Sequence, residues 1–222
     1  MRARFAPRKG TPVVPNRATS AFIIVDLQND FCPGGALAVR GGDEVVPPIN
    51  AIVGLFDRVV LTQDWHPSGH VSFASSWPGK APYDSVDAAG ISQVLWPDHC
   101  VQGSRGADFF AGLRTEVASL VLRKGFRARL DSYSCFYEND RRTPTGLDGW
   151  LRGLGLSELY FSGLATDFCV LYSVLDALAL GYEVHVIEDA VRGVDFPAGS
   201  EAKALDEMRL RGAVFLRSEA LR

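Results

Sequence analysis

Glu158-Leu-Tyr-Phe-Ser-Gly-Leu-Ala-Thr-Asp-Phe-Cys-Val-Leu-Tyr-Ser-Val-Leu-Asp-Ala-Leu178 passes from an apolar run straight into a pattern with apolar residues three and four apart. A strand covered on both faces reads as a continuous apolar run, and a helix that packs on a sheet carries the 3.6-residue period. The stretch is therefore a strand feeding a helix, the repeating half of a parallel α/β fold. Cys169 falls in the first turn of that helix. There the unpaired backbone N–H groups and the positive end of the helix dipole favour a thiolate.

Five further runs repeat the strand pattern: Ala21–Asp26, Arg58–Asp64, Ser119–Lys124, Glu183–Asp189 and Ala213–Arg217. With Glu158–Gly163 they predict a six-stranded, mainly parallel sheet. Helices over Asp43–Asp57, Thr145–Leu154, Asp167–Leu180 and Gly199–Arg211 would cover both of its faces, giving a three-layer α/β/α fold. Residues 1–20 read as an irregular N-terminal arm and residues 21–222 as a single domain. His66 to Gly112 is rich in Gly, Pro, Ser and Trp and carries no strand signal; a connection of that length inside a compact domain is usually functional.

Composition excludes several classes of function. The 23 basic and 26 acidic residues of the 222 are intermixed, so no basic face for nucleic acid or anionic lipid is expected. No run approaches the roughly 20 apolar residues of a membrane span, and the start of the chain lacks signal-peptide features, which points to a cytoplasmic protein. The cysteines Cys32, Cys100, Cys135 and Cys169 form no Cys-x-x-Cys pair and are expected to be reduced. A small neutral ligand suits this chain better than a macromolecule, and homo-oligomerisation is left open.

In an open parallel sheet ligands bind beyond the carboxyl ends of the strands. Asp26, Asp64, Lys124 and Cys169 each close or follow an apolar run. One aspartate after a strand is commonly a turn former or cap. Carboxylate, ammonium and thiol at separate strand ends of one sheet are harder to read that way. Lys124 also stands out because arginine supplies most of the cations, the lysines being Lys9, Lys80, Lys124 and Lys203. A lysine offers a compact point charge where arginine offers a planar fork.

Gln63-Asp-Trp-His-Pro-Ser-Gly-His70 sets a carboxylate and an imidazole two residues apart, with a second imidazole four residues on. His99, in Trp96-Pro-Asp-His-Cys100, could fold back towards them. Such a ligand set suits zinc, with iron or manganese as alternatives, and keeps positions open for catalysis. His185 alternates within Glu183-Val-His-Val-Ile-Glu188 and reads as a structural strand residue.

Taken together, Val25–Val39, Thr62–Phe73, Leu95–Gly103, Arg123–Gly125, Asp131–Ser134 and Gly163–Val170 resemble, in order, the motifs of the nicotinamidase/pyrazinamidase family within the isochorismatase-like cysteine hydrolases. The resemblance implies the isochorismatase-like hydrolase fold and hydrolysis of nicotinamide to nicotinate and ammonia in NAD salvage, with pyrazinamide as a further substrate. Carried over by motif, Asp26, Lys124 and Cys169 would form the catalytic triad. Ala165 and Cys169 would supply the oxyanion hole beside a cis Leu164–Ala165 peptide. Phe31 and Trp96 would flank the substrate ring. Asp64, His66 and His99 would hold one divalent metal ion, and His70 matches a position that is a ligand in some members and lies behind the ligands in others. Cys135 stands where the family commonly has a smaller residue.

With the histidines committed elsewhere, Asp26 is the base left to deprotonate Cys169. Reference pKa values of about 3.9 and 8.5 make that transfer roughly 4.6 units uphill, or about 6 kcal/mol. Desolvation should raise Asp26, while Lys124 and the helix start should lower Cys169. The alternatives are another amidohydrolase of the superfamily, acting on a carbamoyl or ureide group, and a catalytically silent binding module on the same fold.

Overall fold

The computed structural model describes residues 13–222; the first twelve residues of the expected arm lie outside the described residues. Ser20–Val25 (β1), Val59–Asp64 (β2), Leu120–Lys124, Glu158–Leu164, Glu183–Arg192 and Val214–Leu216 form one six-stranded sheet. A short antiparallel hairpin, Ser85–Ala88 (β3) and Ile91–Val94 (β4), lies apart from it, so the later strands of the main sheet are β5 to β8. The order across the main sheet is β5-β2-β1-β6-β7-β8, and all neighbouring pairs are parallel.

Alternation along β1 builds the layers. Phe22 and Ile24 join one apolar cluster while Ala21, Ile23 and Val25 join the other. The first cluster also receives Val46, Ile49 and Ile52 of helix α1 (Val46–Ile52). The second receives Leu147 and Leu151 of α2 (Leu147–Gly153), Val174 and Ala177 of α3 (Leu171–Ala179), and Met208 of α4 (Ser200–Leu210). Because side chains alternate with a period of two, a strand apolar throughout can fill both cores at once.

Strand order reverses between β1 and β6: later strands are added outward through β2 to β5 on one side and through β7 to β8 on the other. The crevice at such a switch point is the usual ligand site, and Asp26 and Cys169 follow the two strands that flank it. Gly163 keeps those strands close. Its φ is +103°, and a Cβ there would lie 2.1 Å from the Val25 carbonyl oxygen, so only glycine fits.

Three segments differ from the expected elements. The helix expected over Asp43–Asp57 is divided into a 3₁₀ turn at Gly42–Val45, the α-helix Val46–Ile52 and a second 3₁₀ turn at Val53–Leu55. Pro47 and Pro48 cannot donate main-chain hydrogen bonds to a preceding turn and so mark a helix start; Gly54 follows the α-helical part. The helix expected from Asp167 begins as a π-helical turn, Thr166–Val170, before α3. The β3–β4 hairpin arises inside the stretch that showed no strand signal. Its strands have four residues each, and Ala89-Gly90 turns the chain with both φ values positive.

Candidate active site

Asp26 leaves β1 with φ +44°, a conformation that costs a non-glycine residue energy unless its surroundings impose it. Thr62 on β2 does so: its hydroxyl accepts from the Asp26 amide at 3.1 Å and donates to Asp26 Oδ1 at 2.6 Å. Gln28 clasps the end of β2, its Oε1 accepting from the Asp64 amide and its Nε2 donating to the Asp64 carbonyl, both at 2.8 Å. From β5, Lys124 extends fully buried into this corner. Its Nζ lies 2.8 Å from Asp26 Oδ2 and 3.4 Å from Cys169 Sγ, donates to Asp64 Oδ1, and donates to the Ser132 carbonyl at 2.9 Å. Donor atoms of Asp26, Asp64 and Cys169 lie within 4.8 Å of one another.

Burial dominates the electrostatics. It pushes Asp26 above the ordinary carboxylate range, although Lys124 pulls the other way. It would lower Lys124, but the Asp26 and Asp64 carboxylates overcome it and hold the ammonium charged. Burial also pushes the Cys169 thiol well above its usual range, with Lys124 opposing and the Asp26 and Asp64 charges adding to the rise. This corrects the expectation of a lowered Cys169: the resting group is a thiol, fourth in its π-turn and enclosed. Asp26 Oδ1 is taken by Thr62, while Oδ2 faces the Lys124 ammonium at 2.8 Å. Oδ2 is thus the oxygen placed to receive a proton.

Beside this corner, Asp64 Oδ2 lies 3.5 Å from His66 Nε2 and 3.9 Å from His99 Nε2. The loop after β2 runs along the loop carrying His99, the His66 amide donating to the Cys100 carbonyl and the Gln102 amide to the His66 carbonyl. The two Nδ1 atoms point away, His66 to the Gly125 carbonyl and His99 to the Pro97 carbonyl, each at 2.8 Å. Those bonds fix the tautomer that leaves both Nε2 atoms as ligands. Metal bonds of about 2.1 Å place tetrahedral ligands roughly 3.4 Å apart, close to the spacing seen here. Burial and the neighbouring His66 bring His99 down to about 4, so its ring is neutral near pH 7, as a ligand must be. The donor set fits a divalent ion. Gly125 makes room for the His66 ring: a Cβ there would lie 2.4 Å from His66 Cε1.

His70 stacks on His66 with ring centres 4.2 Å apart and holds Ser72 Oγ through Nδ1 at 2.7 Å. Its Nε2 is buried with no hydrogen-bond partner, and it groups with His66 and Asp131.

Phe31, Trp96, Ala165, Phe168, Tyr133, Leu37 and Val194 wall a small cavity whose polar lining includes Cys169, Asp64, His66, His99 and Asp131. The Leu164–Ala165 peptide at its rim is cis. Asp131 and Tyr133 had no assigned role in the sequence, although both lie in the Asp131–Ser134 motif. Buried Gln93 of β4 organises them, donating to Asp131 Oδ2 at 2.9 Å and Tyr133 Oη at 3.3 Å. Trp96 Nε1 donates to the same Tyr133 oxygen at 3.2 Å. The unforeseen hairpin therefore braces one wall.

Comparison with known proteins gives one family. The Isochorismatase domain matches residues 20–220. A nicotinamidase of Acinetobacter baylyi is 47% identical over 192 residues, 86% of this chain and 89% of that one. Among solved structures, an Acinetobacter baumanii nicotinamidase/pyrazinamidase superposes with a TM-score of 0.90 at 47% identity, covering 92% of this chain and 99% of that one. An L. infantum protein in complex with nicotinate gives 0.83 at 38% identity, covering 95% and 98%. The pyrazinamidase of Pyrococcus horikoshii in complex with zinc gives 0.72 at 36% identity, covering 89% and 98%.

Proposed function

This chain belongs to the isochorismatase domain family, and from that premise we propose that it is a nicotinamidase, hydrolysing nicotinamide to nicotinate and ammonia, with pyrazinamide as a second substrate. The observation that carries this reading is the meeting of Asp26, Lys124 and Cys169 at one end of a small, aromatic-walled cavity beside an Asp/His/His cluster. Flat apolar walls suit a pyridine or pyrazine ring better than a flexible ureide. We place the enzyme in cytoplasmic NAD salvage; among the described residues no helix is long and apolar enough to cross a membrane.

In the mechanism the ring lies between Phe31 and Trp96 with its carboxamide at Cys169. The thiol proton passes to Asp26 Oδ2 as sulfur attacks the amide carbon, and Lys124 stabilises the sulfur anion as it forms. The raised Asp26 narrows the uphill transfer, and coupling it to attack means that no free thiolate accumulates. Backbone N–H groups of Ala165 and Cys169 hold the oxyanion. Collapse breaks the C–N bond, and Asp26 gives its proton to the departing ammonia. Asp26 then takes a proton from water, whose oxygen attacks the thioester; the acid is released and the thiol restored. Asp64, His66 and His99 would hold a divalent ion, zinc by the chemistry of the set, which when bound supplies a Lewis acid for the ring nitrogen.

Ammonia release from nicotinamide, by protein stripped of metal and then restored with zinc, tests the reading. Activity is expected on nicotinamide and pyrazinamide but not on a ureide. His66→Ala is expected to lose bound metal and raise KM before the fold is affected. Turnover of the ureide alone would reject the assignment; unchanged metal content would reject His66 as a ligand.

The pH profile carries a further expectation. Asp26 must be ionised to take the thiol proton, so kcat/KM falls as pH drops through its pKa, which burial holds above the ordinary carboxylate value. The acid limb of kcat/KM is therefore expected above the 3.8 of an unperturbed aspartate. A limb at that ordinary value would argue against Asp26 as the base.

A further inference from the structure

Half-buried Asp30 lies in the 3₁₀ turn Asn29–Phe31 that follows β1, next to Phe31 of the ring wall. Its two carboxylate oxygens hold two separate segments. The Cys100 amide donates to Oδ2 at 2.7 Å, and the Ala36 amide donates to Oδ1 at 3.1 Å. An aspartate that accepts from a loop amide six residues on is an ordinary turn device, and the Ala36 bond needs no other account. The bond to Cys100 crosses 70 residues and is short and charge-assisted. It grips the peptide that joins His99 to Cys100. Cys100 stands at φ +47°, a conformation that a non-glycine residue holds only where its surroundings impose it.

The Cys100 carbonyl in turn accepts from the His66 amide at 3.0 Å. One carboxylate thus reaches the backbone of both histidines of the Asp64 cluster. On its other side the Leu37 amide donates to the Asp30 carbonyl and the Val39 amide to the Phe31 carbonyl, both at 3.0 Å. The loop that supplies Phe31 and Leu37 to the cavity is therefore folded round Asp30. The Phe31 and His99 rings meet with their centres 5.5 Å apart. Gly106 shows how closely the carboxylate is enclosed: a Cβ there would lie 2.0 Å from Asp30 Oδ2.

We propose that Asp30 is a positioning residue that couples the ring wall to the metal centre. It fixes the His99–Cys100 peptide, and through Cys100 the His66 backbone, so that both Nε2 atoms converge with Asp64 on a divalent ion, and it holds Phe31 against the same His99. The proposal rests on the reading of Asp64, His66 and His99 as metal ligands. Loss of Asp30 loosens the ion and the ring together and leaves the chemistry at Cys169 in place.

The test is zinc affinity, measured on the stripped full-length chain by competition with a chromophoric chelator. Asp30→Ala is expected to bind zinc about 10–100-fold more weakly, the scale of losing an outer contact of a metal ligand, and to raise KM for nicotinamide far more than it lowers kcat. Asp30→Asn keeps an acceptor for the Cys100 amide and should recover most of both. A purely structural role would lower the urea midpoint of the stripped Asp30→Ala chain and leave its zinc affinity parental; that result overturns the proposal. If Asp30→Ala does not fold, Gly106→Ala, whose Cβ displaces the carboxylate, should weaken zinc binding in the same way, and parental affinity there overturns the proposal equally. A parent chain that binds no zinc would instead reject the Asp64 cluster as a metal site, and the proposal with it.

Discussion

Cys169→Ala is expected to lower nicotinamide turnover by about 10⁴-fold or more, the scale of losing a covalent nucleophile from a coupled catalytic group. The residual rate would reflect only the oxyanion donors and the placement of the ring. Metal content should not change, because Asp64, His66 and His99 reach their positions through backbone contacts that do not involve the sulfur. Stability should change little, since the substitution removes one small buried atom and no sulfur hydrogen bond that holds a loop. Parallel measurements of ammonia release, bound zinc and the urea midpoint check all of this. Ammonia release near the parental rate would remove Cys169 from the mechanism; loss of metal together with activity would show a structural role instead.

Much of this site could be read from the sequence because parallel-sheet geometry does part of the work. Apolar runs gave the six strands, and a strand end is a known place in such a fold. Asp26, Asp64, Lys124 and Cys169 are therefore expected on one edge from the strand pattern alone. What could not be read depends on contacts distant in the chain or on short elements. The Gln93 side chain gains its meaning from Asp131 and Tyr133, about 40 residues later, and sits on a four-residue strand too short to show a period. The breaks around α1 reflect Pro47, Pro48 and Gly54 inside an otherwise helical apolar pattern. Cys169 shows the limit best. A helix start and a nearby lysine do favour its thiolate, but only the structure shows how completely the sulfur is enclosed, and that enclosure outweighs both.

Lys124→Met is the substitution expected to damage both stability and catalysis. The ammonium sits between Asp26 and Asp64 with no exposure and also satisfies the Ser132 carbonyl. A methionine of similar length fills the space but leaves two carboxylates buried without their cation. Breaking a buried pair in this way costs about 3–5 kcal/mol, far more than forming it ever contributes. The same loss changes the chemistry. Lys124 is the group that holds Asp26 down against burial, so without it Asp26 rises further and less of it is ionised to take the thiol proton. Cys169 meanwhile loses the cation that opposes its own rise. Lys124→Arg separates charge from shape: it restores a cation, but a planar fork cannot occupy the point where one nitrogen meets Asp26, Asp64, Ser132 and Cys169. It should regain part of the stability and little of the rate. Urea unfolding and kcat/KM measured on the two variants decide the matter: parental stability in Lys124→Met would mean that the buried carboxylates do not need this cation, and full activity in Lys124→Arg would mean that its position is not critical.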